Sequence, residues 1–360
     1  MDNVTNPISD LTPSIIRQGQ LAEKIVIVDG QGGCGKTMLS PIIAAMDRVE
    51  IMNFAFEIEF ICRLFSFNKI TEDAAVAMVR MIADHKLYQT MMGRETNFRF
   101  SDLSSVFRDS NPWRYFRRIF QEGDQKVPEK IRREKPILHL TTHDLLSVSE
   151  PILIGLGERA TFIELVRHPL YMIKQELVNM ETLVNNPRDI QICFEYKDRE
   201  LPYFARGWEE KFLGSNSMER AVYAIDHFTT STKRQRAQWN KILPGNIVTV
   251  PFELFVVDPE TYLKKIQRAL GSGITPNTRR VMRRQKVPRE MIADGINLDV
   301  YKRYSWEPSS SNDEILEFKK RRDFVVDRAE PSAIEVLDRL SLEYECEFLG
   351  QELLPKYGLS

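Results

Sequence analysis

Eight consecutive residues, Gly30-Gln-Gly-Gly-Cys-Gly-Lys-Thr37, match the pattern G-x-x-x-x-G-K-[ST] at every position. The chemistry of this pattern is phosphate binding. Glycines at 30, 32, 33 and 35 permit positive φ, so successive N–H groups can turn inward, and the helix that follows adds the positive end of its dipole. Lys36 would bring an ammonium to the outer phosphates, and Thr37 would ligate Mg²⁺ or donate to a phosphate oxygen. The candidate nucleotide-binding residues are therefore Gly30, Gln31, Gly32, Gly33, Cys34, Gly35, Lys36 and Thr37. Cys34 occupies a variable position and reads as a small filler, not a reactive thiol. A glycine turn without a ligand is the bland alternative. The context argues against it, because an apolar run precedes the loop and a helical apolar pattern (Met38, Leu39, Ile42, Ile43) follows.

Two more segments end in side chains that can do chemistry. Pro136-Ile-Leu-His-Leu-Thr-Thr-His-Asp144 presents Thr142-His143, and Thr161-Phe-Ile-Glu-Leu-Val-Arg167 is followed by His168-Pro169. If both are parallel strands, these residues lie at the carboxyl edge, where open α/β sheets bind ligands. An arginine there, Arg167, suits a phosphate better than a surface ion pair. His143 reads equally as a general base or as a hydrogen-bonded structural histidine, with Glu57 or Glu59 the next candidates for the base. His139, deeper in the same run, reads as a core residue. Apart from the strand that runs into the loop itself, none closes with an apolar run and a clean Asp, the usual Mg²⁺ holder of a kinase, since Asp144 follows three polar residues and Glu164 lies inside its run. Arg279, Arg280, Arg283, Arg284, Lys286 and Arg289 place six cations in eleven residues. Such a cluster fits a solvated face or a phosphate-binding lid. The interleaved aromatics that RNA binding requires are missing from it.

These residues need a scaffold. Lys24-Ile-Val-Ile-Val-Asp29 is a β-branched run without alternation, the pattern of a strand buried on both faces, and similar runs lie at 49–54 (weaker), 136–141, 161–166 and 246–250. Helical periodicity between them (71–93, then from Asn216 with Glu219 as capping partner towards Trp239) predicts an α/β protein. Asp258-Pro259-Glu260 starts another helix, ended by Gly271 and Gly273; Ser311 with Glu314 is a further capping pair, and the last helix covers about 332–348. The expected organisation is a loose lead-in at 1–20, an α/β core at 21–275 with an insertion at about 187–214, and a basic lid segment with a C-terminal helical extension at 276–360.

Composition narrows the class. Of 360 residues, 42% are hydrophobic and 28% charged, which excludes disordered, collagenous and coiled-coil chains. Lys+Arg number 50 and Asp+Glu 51, so a net charge of -1 gives no global pull on nucleic acid, and no nucleic-acid partner is expected. Four scattered cysteines (Cys34, Cys62, Cys193, Cys346) form no metal or disulfide spacing. The first twenty residues lack an apolar leader and no apolar stretch is long enough to span a bilayer, so the expectation is a cytoplasmic protein without a membrane span.

From 24 to 271 the motifs resemble, in order, those of the sulfotransferase family that uses 3′-phosphoadenosine 5′-phosphosulfate (PAPS), a branch of the P-loop fold. Thr142-His143 looks like the family's strand-end general base. Val166-Arg167-His168-Pro169 looks like its Arg-x-Pro, whose arginine binds the donor's 3′-phosphate. Val248-Thr-Val-Pro-Phe-Glu through Asp258-Pro-Glu to Leu270-Gly271 is similar to its last core segment. Two positions depart from the family. Lys36 stands where it has Thr or Ser, its basic residue being displaced by Gly33, and Lys174 stands where it has a serine.

The resemblance implies a P-loop type three-layer α/β fold with a mainly parallel central sheet and helical insertions. It also implies sulfuryl transfer from PAPS to an acceptor hydroxyl, on a carbohydrate or small alcohol. The loop and Lys36 would hold the phosphosulfate, His143 would be the base, and Arg167, Lys174, Arg279, Arg280 and Arg283 would hold the 3′-phosphate, with no metal. The alternatives are an ATP/Mg²⁺-dependent kinase, in which Thr37 matters and His143 does not, and a nucleotide-binding protein that turns nothing over. Trp113, Tyr115, Tyr203, Phe204 and Trp208 could stack on a sugar or phenol, or be core.

Overall fold

Lys24–Asp29 forms the central strand, β1, of a five-stranded parallel sheet in the computed structural model, which describes residues 13–187, 190–289, 292 and 314–350. Ile25, Val26, Ile27 and Val28 are fully buried, because helices cover both faces of this sheet. After β1 come α1 (Lys36–Ala44), β2 (Asn53–Phe54), α2 (Phe56–Ser66), α3 (Glu72–Met92), α4 (Pro112–Ile119), α5 (Lys126–Glu134), β3 (Ile137–Thr141), α6 (Glu150–Leu156), β4 (Ala160–Val166) and α7 (Pro169–Thr182). The insertion is an antiparallel hairpin, β5 (Cys193–Tyr196) and β6 (Arg199–Pro202), with α8 (Glu209–Gly214). The chain continues through α9 (Ser217–Ile242), β7 (Ile247–Pro251), α10 (Phe252–Val257), α11 (Pro259–Leu270) and α12 (Pro276–Arg284) to α13 (Glu314–Val326) and α14 (Pro331–Tyr344).

The sheet order β2-β3-β1-β4-β7 puts β1 between β3 and β4, with Val28 beside Thr141 on one side and Ile163 on the other. Alternate side chains serve the two faces. Val26, Val28, Ile163 and Leu165 pack towards α1, α7 and α9, and Ile25, Ile27, Leu140 and Phe162 towards α2, α3 and α6. The expected three-layer α/β fold with a mainly parallel sheet is therefore the observed one, and α13 and α14 add Phe318, Phe324, Leu337 and Leu340 to the core on the α7 side.

Local expectations are met unevenly. Asn216 and Glu219 form the anticipated capping box. Asp258 precedes α11, but its carboxylate accepts from the Thr261 hydroxyl at 2.6 Å and caps no backbone N–H. The run 49–54 yields only a two-residue strand and a single bridge from Val49 to Ile137, because the Ile51 N–H donates to the Tyr115 hydroxyl at 2.7 Å and leaves the ladder. The last helix, expected at 332–348, is α14 followed by a π turn, Glu345–Leu349. Ser311 of the anticipated capping pair and residues 1–12 of the lead-in lie outside the described residues.

Candidate functional site

The loop connects the end of β1 to the start of α1, and its glycines are needed for contact as well as conformation. Gly35 has φ 106° at the N-cap of α1, and a Cβ there would stand 2.5 Å from the Phe252 ring. A Cβ on Gly32 would stand 2.2 Å from Oε1 of Glu176 on α7. Lys36 is buried, and its ammonium donates to the carbonyls of Gly30 and, at 3.1 Å, Gln31. Burial opposes its charge, but the acidic groups of Cys34, Asp144, Asp29 and Glu59 outweigh that and raise its pKa. Gln31 donates to the Thr229 hydroxyl at 2.9 Å, and Thr37 is exposed at the first turn of α1. Cys34 is a buried filler as expected, its thiol pushed up by burial and so unreactive.

Arg167 leaves the end of β4 and donates from Nη1 to the Gly33 carbonyl at 2.8 Å. Its guanidinium lies 4.0 Å from the Phe252 ring centroid and 5.0 Å from that of Tyr171, with Nε 3.9 Å from Glu253. Glu253 is itself fixed, accepting from the His168 N–H at 3.2 Å and from the Tyr344 hydroxyl. The guanidinium is thus held beside the loop by a hydrogen bond, two aromatic rings and a carboxylate.

His143 follows β3 on the other side of β1. The turn that carries it is tied down by Asp29, whose carboxylate accepts from the Thr142 hydroxyl at 2.7 Å and from the N–H groups of Leu145 (3.0 Å) and Leu146 (2.8 Å). The ring Nδ1 donates to Glu59 Oε1 at 3.1 Å, and the other Glu59 oxygen accepts from Arg63 at 2.9 Å. Phe54 and Phe56 lie nearly parallel to the imidazole, at interplanar angles of 9° and 10°. The side chain is 43% exposed, and Glu176 on α7 feels the fields of both Lys36 and His143. His139, by contrast, is fully buried, and burial brings its pKa down to about 3, so it is a neutral core residue.

Lys174 does not join the site. A residue step of about 100° turns Met172, Gln175, Glu176 and Asn179 of α7 towards the loop, whereas Lys174 faces α13, 5.2 Å from the Phe324 ring, where burial brings its pKa to about 5. Arg279, Arg280 and Arg283 also stand elsewhere. Helix α12 is anchored at the far end of α1, where the Thr278 hydroxyl donates to the Ala45 carbonyl at 2.7 Å, and Arg279 pairs with Glu260. Of the cationic cluster, Arg289 is the member that reaches Phe252, at 5.5 Å.

Three acidic residues near the loop carried no clear sequence signal. Asp29 was visible only as the end of a strand. Glu176 lies three and four residues from other loop-facing positions of α7, a spacing that becomes informative only once that face is known. Burial pushes its carboxyl above the usual range, against the pull of Asn179, Lys36 and the Gly32 amide. Asp144, in the left-handed region at φ 55°, is likewise held well above its usual range by burial, with Lys36 pulling down and Glu176 pushing up.

A glycine loop between strand and helix, at the carboxyl edge of a parallel sheet, makes this an α/β protein of the P-loop type. No protein-family model matches the chain, and no curated protein matches it in sequence. Among solved structures it is similar to the sulfotransferase domain of the Synechococcus PCC 7002 olefin synthase, at 12% identity and TM-score 0.40 over 81% of this chain and 98% of that one. It is also similar to mouse sulfotransferase SULT7A1 complexed with PAP (13% identity, TM-score 0.38, 93% and 89% covered). A third is sulfotransferase STF9 from Mycobacterium avium (15% identity, TM-score 0.41, 91% and 77% covered). Among the described residues no helix is long and apolar enough to cross a membrane.

Proposed function

We propose that the protein is a sulfotransferase that moves a sulfuryl group from PAPS to an acceptor hydroxyl. The observation that supports this reading is the contact of Arg167 with the Gly33 carbonyl, together with the position of His143 just past β3, so that the two residues follow the strands on either side of β1. The loop amides and Lys36 hold the 5′-phosphosulfate, once Lys36 turns from the Gly30 and Gln31 carbonyls, and Arg167 takes the 3′-phosphate. His143 accepts the hydroxyl proton at Nε2 while the acceptor oxygen bonds to sulfur. The bond from sulfur to the bridging phosphate oxygen breaks, and its electron pair leaves with the phosphate, next to the Lys36 ammonium. Phe54 and Phe56, parallel to the imidazole, offer a flat surface for the ring of a sugar or a small phenol beside the base.

Asp29 supports this reading over the kinase. It is the carboxylate at the end of β1, and its oxygens already accept three hydrogen bonds that shape the His143 turn. The test is a thermal-shift and calorimetric comparison of adenosine 3′,5′-bisphosphate, AMP and ATP with Mg²⁺. Preference for the bisphosphate supports PAPS as donor. Tight binding of ATP–Mg²⁺ with indifference to the 3′-phosphate assigns the kinase instead.

A further inference from the structure

Six large apolar side chains stand out of the surface within residues 98–120. They are Phe98, Phe100, Phe107, Trp113, Ile119 and Phe120, with Phe100 77% and Phe120 88% exposed. They form one ridge. Phe107 meets Phe100 at 5.7 Å and Phe116 at 5.9 Å, Phe98 and Trp113 each meet Phe116 at 5.6 Å, and Phe120 lies one helical turn beyond Phe116. The base beneath is firm. Tyr115 and Val106 are fully buried against Ile51, and Arg118 pairs with buried Glu50 at 2.7 Å.

Cations flank the ridge. Arg99, Arg108 and Arg117 are exposed on the same segment, and Arg284 of α12 lines a groove of about 300 Å³ with Phe107 and Arg108. None of these four makes an ion pair among the described residues. Folding thus brings Arg284 of the α12 cluster to an aromatic neighbour, Phe107, that the cluster's own sequence lacks. Exposed rings cost free energy in water, and neighbouring guanidinium groups repel. A partner that relieves both has negative charge over an apolar layer.

We propose that this ridge seats the protein on an anionic phospholipid surface, with Phe100, Trp113 and Phe120 in the headgroup boundary and the arginines on lipid phosphates and carboxylates. A single-stranded nucleic acid would also use arginines and rings, but it needs open ring faces for its bases. Here Phe98, Phe100, Phe107, Phe116 and Trp113 meet one another at tilts of 48° to 69°, and these contacts form no row of parallel faces on which successive bases could stack. With a net charge of -1 the chain as a whole is not drawn to an anionic surface, so the proposed attraction is local to this face and weakens with salt.

Co-sedimentation of the full chain with vesicles tests this. Binding to phosphatidylcholine–phosphatidylserine vesicles, little to phosphatidylcholine alone, and loss of bound protein as salt rises are the expected results. The double variant Phe100→Ser/Phe120→Ser should bind at least about tenfold more weakly. Arg99→Gln/Arg117→Gln should weaken binding and flatten its salt dependence; all four side chains are exposed, and circular dichroism checks the folds. Equal binding to both vesicle types, or full binding by the Phe double variant, overturns the proposal. So does a chain that retains an oligo(dT) probe and ignores vesicles, which assigns the face to nucleic acid.

Discussion

One oxygen of Glu59 accepts two hydrogen bonds from His143, from its backbone N–H at 3.0 Å and from ring Nδ1 at 3.1 Å. A carboxylate oxygen can only accept, so Nδ1 is the donor in this contact, and Nε2 is the ring nitrogen it leaves for a substrate. Arg63 secures the pair by donating to the other Glu59 oxygen at 2.9 Å and to the His143 carbonyl at 3.1 Å. In the proposed mechanism Glu59 would act through His143 as a positioning residue.

His143→Ala should lower turnover by about 10²–10⁴-fold with little change in nucleotide affinity. Glu59→Gln should lower it by less, and the double variant should be no slower than His143→Ala alone, because both changes remove one unit. Steady-state rates with calorimetric affinities check this. Additive losses would mean that Glu59 acts independently of the histidine.

Lys36→Ala should fold normally, since its ammonium bonds only to carbonyls of its own loop. It should bind adenosine 3′,5′-bisphosphate more weakly by about 1.5–3 kcal/mol, the worth of a charge-assisted hydrogen bond. Titration calorimetry measures the difference, and unchanged affinity in a folded variant would falsify the loop assignment.

Arg167→Ala should erase any preference for adenosine 3′,5′-bisphosphate over AMP, whereas Lys174→Met should leave both affinities at the wild-type value. The contrast follows from placement, with Arg167 on the Gly33 carbonyl and Lys174 against α13. A Lys174→Met protein with specific loss of bisphosphate binding would return that residue to the site.

Glu176 predicts a pH effect on nucleotide binding. Its pKa is raised, mainly by burial, so it is neutral over a window above the ordinary carboxylate range and ionises as pH climbs through the raised value. An ionised carboxylate at Gly32 repels an incoming phosphate, so affinity should fall across that rise. Folding stability should fall there too, since the native state holds the proton more tightly than the unfolded chain. Glu176→Gln should flatten the extra pH dependence relative to wild type, with phosphate titration common to both. Parallel affinity–pH curves for the two proteins would rule out the effect.

The loop and the five strand regions were legible because they rest on neighbours: glycines that admit positive φ, and β-branched runs that fill a sheet covered on both sides. Arg167 and His143 were legible as strand ends for the same reason. Lys174 was not, because a one-residue difference on a helix turns a side chain by about 100°, and only the docking of α7 shows that Gln175 and Glu176 face the loop. The α12 arginines were equally ambiguous until Thr278 was seen on Ala45.

Chain pattern alone therefore determined an α/β protein with a glycine loop between strand and helix and with His143 and Arg167 just past two strands, since each of these is a property of a few adjacent residues. Tertiary structure decided which groups surround them. Glu59 stands 84 residues from His143, and Gly33 stands 134 from Arg167. Arg284 of α12 shares a groove with Phe107 only where two surfaces come together. Pairings over such separations are set by which faces bury together in the core, and no local spacing encodes them.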